Sequence, residues 1–531
     1  MATYTRSSAW NNGGTFANTD LLWYAKGVGV MQGRALDDLS SWWFFAAIHG
    51  EYVSTSGFPG WGGLPSPPPT PTAPEPSSGI EGEYWDQCQH QSWYFLPWHR
   101  GYLIALEAQI RAAVIALGGP SGWALPYWNY FGSGDQYKIP PAFTQTTLPD
   151  GSPNPLFVAA RYGPNGDGSI FVPTSAAVSG GPVNDQCMSN DIYTGNDAVT
   201  PPPGFGGPST GFSHSGSTSG NVENNPHNLV HVFVGGTAPG GATYGLMSDP
   251  GLAALDPIFY LHHANIDRMW AVWNSNPANA NPADPTWLNG PASTGEREFV
   301  MPMPQGVEWV YTPAEMTSLS PLNYTYDDLV APAPPTNLTG TILAARLKTL
   351  GSSTAAIRVK EGVSVSNASA RMELVGASEQ PLRIERLGAA TSVRLDPVVV
   401  SKVSESLNTA AETLAPDRIF LNLENIRGAH DAVALNVYVN LPEGSDPSDH
   451  PELLAGSVGL FGMRRASLAD GQHAGTGLSF TLEITRIVDK LHADQQLKTG
   501  SIRVTIVPYR ELPGQAQVTI GRVSMYRQGR Q

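Results

Sequence analysis

The stretch PHNLVH (226–231), followed by DPIFYLHHANIDRMW (256–270), decides the predicted architecture of this 531-residue chain. His227 and His231 are four residues apart, so on a helix they share one face and can bind one ion. An H-x-x-x-H pair alone is common by chance. The zincin form of this motif is excluded, because Asn228 stands where the catalytic Glu should follow the first histidine.

Further histidines surround this pair in the sequence. His262 and His263 differ by about 100° around a helix, so only one of them can point at the centre that His227 faces. Upstream, the segment CQH places Cys88 and His90 on the same side of an extended chain, and His99 follows in FLPWHRGY. The thiol could ligate a metal, bond to the ring of His90, or simply be buried as a small apolar group.

His49, in FFAAIHGEY, adds a further upstream imidazole, so that each cluster offers three. Sets of three imidazoles suit two transition-metal ions, and copper is the predicted metal. A binuclear zinc hydrolase is the competing interpretation, although such sites usually need bridging carboxylates, and these motifs contain none.

The histidines are predicted on four helices that hold two metals between them, as in bundle cores. Apolar spacing predicts helices at 36–53, 98–117 and 256–273, with Asp256 as N-cap and Pro257 in the first turn, and a fourth beginning near Asn225 or Pro226. Long loops rich in Gly and Pro connect them. The predicted fold class is therefore a mainly α catalytic domain with long loops, followed by an all-β antiparallel sandwich.

The chain divides into residues 1–330, a linker at 331–345 that begins APAPPTNLTG, and a β-rich domain at 346–531. The β prediction rests on alternating segments such as RIFLNLENI, LSFTLEITRI and SIRVTIVPYR. A formal net charge of −15 argues against nucleic acid as a partner. The sequence shows neither a membrane span nor a signal-peptide pattern, so we expect a cytoplasmic protein, with export by a helper protein left open.

Three motifs, WYFLPWHRGYL, ENNPHNLVHVFVGG and DPIFYLHHANIDRMWAVW, resemble the two copper-binding signatures of the tyrosinase, catechol oxidase and polyphenol oxidase family. The resemblance covers about residues 1–330. It implies two copper ions as cofactors and O2 as co-substrate. It also implies a ligand set of His49, His90 and His99 for the first copper, and His227, His231 and His263 for the second. His262 is then the neighbour that does not ligate.

The same resemblance implies roles for other residues. Cys88 and His90 resemble the thioether-linked pair of some family members, which would leave Cys187 without a disulfide partner. Glu223 and Asn228 resemble the catalytic pair that takes a proton from an incoming phenol. Asp267 matches a position whose expected role is to orient an imidazole or to pair with an arginine.

Small residues at the expected entrance to the metal site, its mouth, imply that the site is open to substrate. Pro250 and Gly251 stand where plant catechol oxidases place a bulky Phe, and Val232, after His231, is of modest size. Tyr324 and Tyr326 resemble a tyrosine motif that closes the catalytic domain, with Arg6 as the expected partner. The C-terminal segments resemble the domain that shields the site in plant-type polyphenol oxidases, although the sequence names no residue that would block it.

These features predict oxidation of phenols, by ortho-hydroxylation, and of catechols to o-quinones. Small phenols and catechols are the expected partners, and an oligomer is possible. One alternative is a catechol oxidase or o-aminophenol oxidase without monophenolase activity. Another is a haemocyanin-like O2 carrier from which substrates are excluded.

Overall fold

A computed structural model describes most of the chain. The described residues are 4–50, 74–195, 203–212, 218–241, 243–330, 346, 349–350, 371–409, 416–469, 475–498 and 500–529. The predicted linker at 331–345 lies outside them, so the domain boundary stays a prediction.

The first part of the chain is mainly helical and carries all the histidines of the two clusters. Its α-helices are α1 (Thr19–Gln32), α2 (Trp42–His49), α3 (Ser78–Tyr84), α4 (Phe95–Ala116), α5 (Leu229–Gly235), α6 (Ile258–Asn274) and α7 (Pro285–Asn289). A π-helical turn, Glu223–Asn228, leads directly into α5. Helix α4 packs against both α1 and α6, so it lies at the centre of this part.

The helices that carry histidines differ from the predicted ones mainly in where they begin. Helix α2 begins at Trp42 and not at residue 36, because the side chain of Ser41 accepts a hydrogen bond from the Phe44 amide and caps the helix there. Residues 51–53, the predicted end, lie outside the described residues. Helix α4 begins at Phe95, so Pro97 lies in its first turn, where its missing N–H costs nothing.

Helix α6 begins two residues after the predicted cap. Asp256 nonetheless serves its N-terminus, because its carboxylate accepts a hydrogen bond from the Ile258 amide at 3.0 Å. The same carboxylate pairs with Arg161 through two nitrogens, at 2.6 and 2.8 Å. The start of the helix that carries His262 and His263 is therefore fixed to the loop that holds Arg161.

Short strands close the helical part. They are β1 (Tyr4–Arg6), β2 (Phe299–Met303), β3 (Val307–Tyr311) and β4 (Tyr324–Tyr326). β1 and β4 pair in parallel, with Tyr4 opposite Tyr324 and Arg6 opposite Tyr326, and β2 and β3 form an antiparallel hairpin. The two sequence ends of the helical part therefore lie side by side.

The C-terminal part is an antiparallel β domain, as predicted. Its strands are β5 (Arg371–Ser378), β6 (Leu382–Arg383), β7 (Ala389–Leu395), β8 (Arg418–Arg427), β9 (Ala434–Val439), β10 (Leu454–Gly459), β11 (Leu478–Glu483), β12 (Ser501–Pro508) and β13 (Thr519–Gly529). They form one nine-stranded sheet in the order β10-β9-β12-β7-β5-β13-β8-β11, with β6 paired to β13, and not two separate sheets. The end strands β10 and β11 contact each other, so the sheet is strongly curled.

Helices beside this sheet whose bounds the structure describes are α8 (Pro397–Asn408), α9 (Met463–Ala466) and α10 (Thr485–Ala493). The predicted strand LSFTLEITRI ends at Glu483, and its last residues begin α10 instead. A separate hydrophobic core fills the domain. Among the described residues, none of the helices combines the length and the apolar character that a bilayer crossing requires.

The β domain lies directly on the helical part. Strand β10 contacts the π-helical turn, and a Cβ atom added at Gly459 would lie 2.9 Å from the carbonyl carbon of Asn228. A glycine is therefore required at this close approach. Residues 459–465, which we name the cover segment, begin at this glycine and pass over the histidine clusters.

Candidate metal centre

The first histidine cluster lies between α2, the extended segment before α4, and α4 itself. His49 is the last residue of α2, His90 comes from residues 85–91, and His99 lies in the second turn of α4. The ring centroids of His49 and His90 are 5.5 Å apart, and those of His90 and His99 are 5.7 Å apart. One potential ligand atom from each, together with the Cys88 thiol, falls within 4.8 Å of the others.

The second cluster is built by the π-helical turn, α5 and α6. The Nε2 atom of His263 lies 3.3 Å from that of His227 and 3.4 Å from that of His231. The ring of His263 is also stacked on that of His99, with centroids 4.3 Å apart and planes 11° apart. The two clusters are therefore adjacent and face each other.

Backbone and amide oxygens select one tautomer for these rings. The Nδ1 atoms of His49, His99 and His231 lie 2.7–3.0 Å from the carbonyl oxygens of Pro250, Phe95 and Met247. Nδ1 of His227 lies 2.9 Å from Asn228 Oδ1. Because an oxygen can only accept, each Nδ1 carries the proton, and each Nε2 offers its lone pair to the centre.

Burial keeps the rings neutral. It lowers the pKa of His99, His231 and His263 well below the ordinary value, and nearby imidazoles lower each further. Burial also lowers the pKa of His227 to about 3, against the hydrogen bond to Asn228 that raises it. Neutral imidazoles are the form that binds metal ions.

The short contacts between Nε2 atoms fit a bound cation. Two lone pairs 3.3 Å apart repel each other, but nitrogens about 2.0–2.1 Å from one tetrahedral metal ion lie about 3.3 Å apart. The donor set consists of imidazoles, which suit copper, and contains no bridging carboxylate. The residues present therefore fit two copper ions.

His262 is a fourth imidazole in the second cluster, and helix spacing alone left open which of His262 and His263 is the ligand. It is fully buried, and its ring stacks on that of His227 at 5.3 Å and lies 5.8 Å from Tyr130. It makes neither of the short Nε2 contacts that His263 makes. This difference favours His263 as the ligand and leaves His262 as packing.

The thiol of Cys88 lies against two predicted ligands. Its Sγ is 3.4 Å from Nδ1 and 3.7 Å from Nε2 of His90, and 3.5 Å from Nε2 of His99. The sulfur is therefore in contact with the His90 ring, at a distance longer than a covalent carbon–sulfur bond would allow. Burial raises the pKa of the thiol. Cys187 is also buried and has no disulfide.

Glu223 lies beside the clusters with its carboxyl group held in place. Both carboxyl oxygens accept a hydrogen bond from the backbone amide of Gln91, at 2.8 and 3.0 Å. Burial raises the pKa of Glu223 to about 8. Ser219 links Glu223 to Asn228. Its hydroxyl is hydrogen-bonded to the Glu223 carboxyl group and accepts a hydrogen bond from Asn228 Nδ2 at 3.4 Å. Sequence reasoning missed this serine.

The residues predicted at the mouth have different positions. Pro250 lines a small cavity of about 40 Å³ together with Glu223 and Asn228. Gly251 packs on Gly50, where an added Cβ would be 2.5 Å from the Gly251 Cα. Val232, in contrast to our prediction, lines a separate cavity of about 300 Å³. The residue after His231 points away from the metal side of α5, because successive helical residues differ by about 100°.

Asp267 pairs with arginines and tyrosines, which is one of its two predicted roles. Its carboxylate accepts from Arg100 Nε at 2.5 Å and Arg6 Nη1 at 3.2 Å, and from the hydroxyls of Tyr324 and Tyr326 at 2.6 and 2.5 Å. The cationic partners lower its pKa against the effect of burial. Because Arg100 follows His99, this buried network holds α4 and α6 together behind the metal centre.

Phe461 of the cover segment occupies the space in front of the clusters. Its ring stacks on that of His231, with centroids 4.1 Å and planes 20° apart, and lies 5.7 Å from His90 and 5.9 Å from His227. Only 5% of the residue is exposed. Sequence reasoning could not name it, because nothing in one sequence separates this phenylalanine from a core residue.

Two arginines that follow Phe461 fix the cover segment to its neighbours. Arg464 donates to Asp249 at 2.8 Å, and its backbone amide donates to Asp431 at 2.7 Å. Burial and the neighbouring Asp249 raise the pKa of Asp431 to about 7. Arg465 donates to Asp86, two residues before Cys88, at 3.2 Å. Both arginines thus join the β domain to loops that adjoin predicted ligands.

Comparisons with known proteins give consistent results. Residues 39–276 match the family model described as the common central domain of tyrosinase, and residues 371–528 match a domain of unknown function, DUF7868. Tyrosinase HcTyr1 of Hahella sp. (strain CCB-MM4) is 30% identical over 517 residues, which cover 95% of this chain and 96% of that protein. The latent form of polyphenol oxidase from Prunus armeniaca is 34% identical over 195 residues, 35% of this chain and 30% of that protein.

Solved structures share the fold of the whole chain. The latent apple tyrosinase superimposes with a TM-score of 0.59 at 19% identity, covering 100% of this chain and 98% of that one. Latent aurone synthase, a polyphenol oxidase, gives 0.57 at 18% identity and covers 100% and 90%. The arrangement of a helical part beneath a β domain is therefore common to these proteins.

Proposed function

Because the chain belongs to the tyrosinase and polyphenol oxidase family, we propose that it oxidises phenols and catechols to o-quinones with O2 as co-substrate. The observation that carries this proposal is the convergence of six imidazoles, in front of which an aromatic ring already lies. The proposed copper ligands are His49, His90 and His99 on one side and His227, His231 and His263 on the other. When bound, the copper pair supplies the redox chemistry, taking electrons from the aromatic substrate and passing them to O2.

The protein's own groups would bind and orient the substrate. In the proposed complex, the phenol ring takes the place of the Phe461 ring and stacks on His231. The backbone hydrogen bonds of the imidazoles hold the ligands still, so that the ring meets a fixed set of donors. The thioether between Cys88 and His90, which we propose on the contact distances, would restrict the one ligand that lies on an irregular segment.

Glu223 and Asn228 are the proposed proton acceptors for the phenol hydroxyl. They line the same small cavity, and Glu223 is held by the Gln91 amide while Ser219 joins the two side chains. A carboxyl group fixed within reach of an incoming hydroxyl is suited to general-base catalysis when it is deprotonated, and the raised pKa of Glu223, about 8, makes that form predominant above about pH 8. This arrangement supports ortho-hydroxylation of phenols in addition to catechol oxidation.

A catechol or o-aminophenol oxidase is the alternative, since the same imidazoles would serve it. Pro250 at the mouth favours an open site, which supports hydroxylation. An O2 carrier would need the cover segment to remain in place permanently. The ion pairs that hold the cover segment, Arg464 with Asp249 and Arg465 with Asp86, each include a side chain that solvent reaches in part.

We also propose that the enzyme is latent while the cover segment lies on it. The Phe461 ring fills the position that a substrate ring needs, so substrate and cover segment exclude each other. Release of the β domain, by cleavage or by displacement, would then open the site.

The test is an assay of the copper-loaded full chain before and after limited proteolysis. Oxygen uptake and o-quinone formation are followed with a monophenol, tyramine, and with its catechol, dopamine. We expect little product before treatment and product from both substrates after it. Product from dopamine alone would establish the catechol oxidase alternative, and reversible O2 binding without product would establish the carrier.

A further inference from the structure

A second cavity, of about 300 Å³, lies between the helical part and the β domain. The helical part contributes residues of α5 and of the loop 236–241 that follows it, and the β domain contributes the segments 432–434 and 509–513. This cavity shares no lining residue with the small one beside Phe461. Because a cavity of about 150 Å³ can bind benzene, this one has room for an aromatic ring with a short side chain.

Apolar and aromatic side chains form much of the cavity wall. Phe233 of α5 and Tyr509 of the β domain meet edge to face, with ring centroids 4.8 Å and planes 68° apart. Val232, Val433 and Leu512 add aliphatic surface. Walls of this kind, with a small number of polar groups that fix orientation, are typical of sites for small molecules.

The charged groups of the cavity leave an excess of one positive charge. Arg386, Arg510 and Glu511 are the charged residues that line it, although the chain as a whole has a formal net charge of −15. Arg386 and Glu511 form an ion pair at 2.9 Å. The charge of Arg510 is therefore the one that an incoming anion would neutralise.

Arg510 extends from the β domain to the helical part. A Cβ atom added at Gly166 would collide with its Nη1 atom, so the guanidinium lies directly over that glycine. Asp167 is the acid beside it, but the pKa of Asp167 is lowered mainly by hydrogen bonds from Ser169 and least by Arg510. Within the described ranges, no carboxylate forms an ion pair with Arg510.

Hydrogen bonds between the two parts of the chain flank the cavity. Thr237 Oγ1 donates to the carbonyl oxygen of Ala432 at 3.4 Å, and Gln515 Nε2 donates to that of Gly241. Within the β domain, the Leu512 amide donates to the carbonyl oxygen of Arg386 at 3.0 Å and fixes the two charged loops together. A molecule in this cavity would therefore contact both parts of the chain at once.

We propose that this cavity binds a small aromatic carboxylate, with its ring against Phe233 and Tyr509 and its carboxylate group on Arg510. The site goes beyond the proposed function, because it contains no residue of the metal centre. A neutral ligand of the same shape gains the apolar contacts alone, and an amine is repelled by the excess positive charge.

Binding also favours the docked β domain, because only the docked state brings both walls together. At a ligand concentration 100 times Kd, the ratio of docked to released domain should rise about 100-fold. The ligand is thus expected to maintain the closed state without entering the metal centre.

Calorimetry on the copper-free full chain tests the site, since no metal ion then competes for the carboxylate. The probes are anionic 3-phenylpropionate, neutral 2-phenylethanol and cationic phenethylamine. We expect the anion to bind about tenfold more tightly than the neutral alcohol, the effect of one charge-assisted hydrogen bond at a partly exposed group, and the amine to bind most weakly.

Substitutions then separate the charge from the cavity. Arg510→Gln should remove the preference for the anion, and Glu511→Gln, which releases Arg386, should strengthen anion binding by about threefold. Ala238→Phe, from a half-buried lining position, should fill the cavity and weaken binding of all three probes at least tenfold, as a rough estimate for a lost ring contact. Arg394→Gln removes an exposed arginine of β7 outside the cavity and is the matched control.

Hydrogen exchange locates the bound anion on the same protein. Amides of residues 232–241 and 509–513 should exchange more slowly when 3-phenylpropionate is bound. The proposal is overturned if the anion does not bind, if Arg510→Gln or Ala238→Phe binds it as tightly as the unaltered chain, or if exchange slows elsewhere only. The gain expected for Glu511→Gln cannot result from misfolding, and none of these measurements depends on quinone formation, so the proposed function is judged separately.

Discussion

Replacing Phe461 by alanine in the full chain should convert a latent protein into an active one. The ring is buried and stacked on His231 at 4.1 Å, so it is the group that keeps an aromatic substrate out. The substitution leaves the linker and the arginine contacts of the cover segment intact. It therefore weakens closure of the site without cutting the chain.

The magnitude follows from the burial of the ring. Truncating a buried Phe to Ala costs about 3–5 kcal/mol, and here the ring contributes to docking of the cover segment on the catalytic side. A loss of about 3 kcal/mol changes the ratio of open to closed sites by roughly 100-fold. We therefore expect kcat/KM for a small catechol to rise by about 100-fold, up to the level reached after proteolysis.

The assay is initial o-quinone formation from the copper-loaded variant, with copper content measured in the same sample. Phe420→Ala is the matched control, since Phe420 is a buried residue of β8 in the same domain and contacts Arg418 and not the histidines. It should lower the melting temperature comparably while raising activity at most a few-fold. Equal activation by both variants would mean that loosening of the domain is responsible. Two bound coppers with unchanged activity in Phe461→Ala would refute the blocking role.

Four further predictions concern single residues. His263→Ala should lower the copper content from two ions per chain to about one, whereas His262→Gln should retain two, as measured by elemental analysis of dialysed protein. Glu223→Gln should reduce hydroxylation of a monophenol by 100-fold or more and oxidation of its catechol by less than tenfold, since only the first reaction needs the proton acceptor. The tryptic peptide that contains Cys88 should be two hydrogens lighter than its sequence mass after copper loading, and an unshifted mass would exclude the thioether. Docking should depend on pH through Asp431, because burial and the neighbouring Asp249 raise its pKa from 3.8 to about 7 in the docked state. Docking should be most stable below about pH 4, weaken as the pH rises from about 4 to 7 and change little above that, and an asparagine there should flatten this dependence of latency on pH.

The sequence predicted the parts of the site that depend on spacing. His227 and His231 follow the period of a helix, and Pro97 indicates where α4 begins, so their positions come from local rules. The start of α2 was predicted too early, since apolar residues before Trp42 are buried in turns and look like helix in a one-dimensional pattern. The alternating pattern also led to the prediction that strand β11 continues into residues that instead form the start of α10.

Contacts between distant segments could not be derived from one sequence. Glu223 is held by the backbone amide of Gln91, which lies 132 positions earlier in the chain. Phe461 reaches His231 across 230 positions of the chain, and its neighbours in sequence belong to a β domain with its own core. Val232 was assigned to the mouth from its position after a ligand, but it lies about 100° around α5 from His231 and lines a separate cavity.

The parallel pairing of β1 with β4 has a consequence for how the catalytic half can be produced on its own. Arg6 enters the buried network of Asp267 beside Tyr326, so residues near both ends of the helical part hold α6 in place. A recombinant fragment that starts after Arg6 or stops before Tyr326 should lose metal affinity even though it retains every histidine of the centre. A fragment of residues 1–330 preserves both strands, and its two termini would lie close enough for a short peptide to join them in a circular permutant.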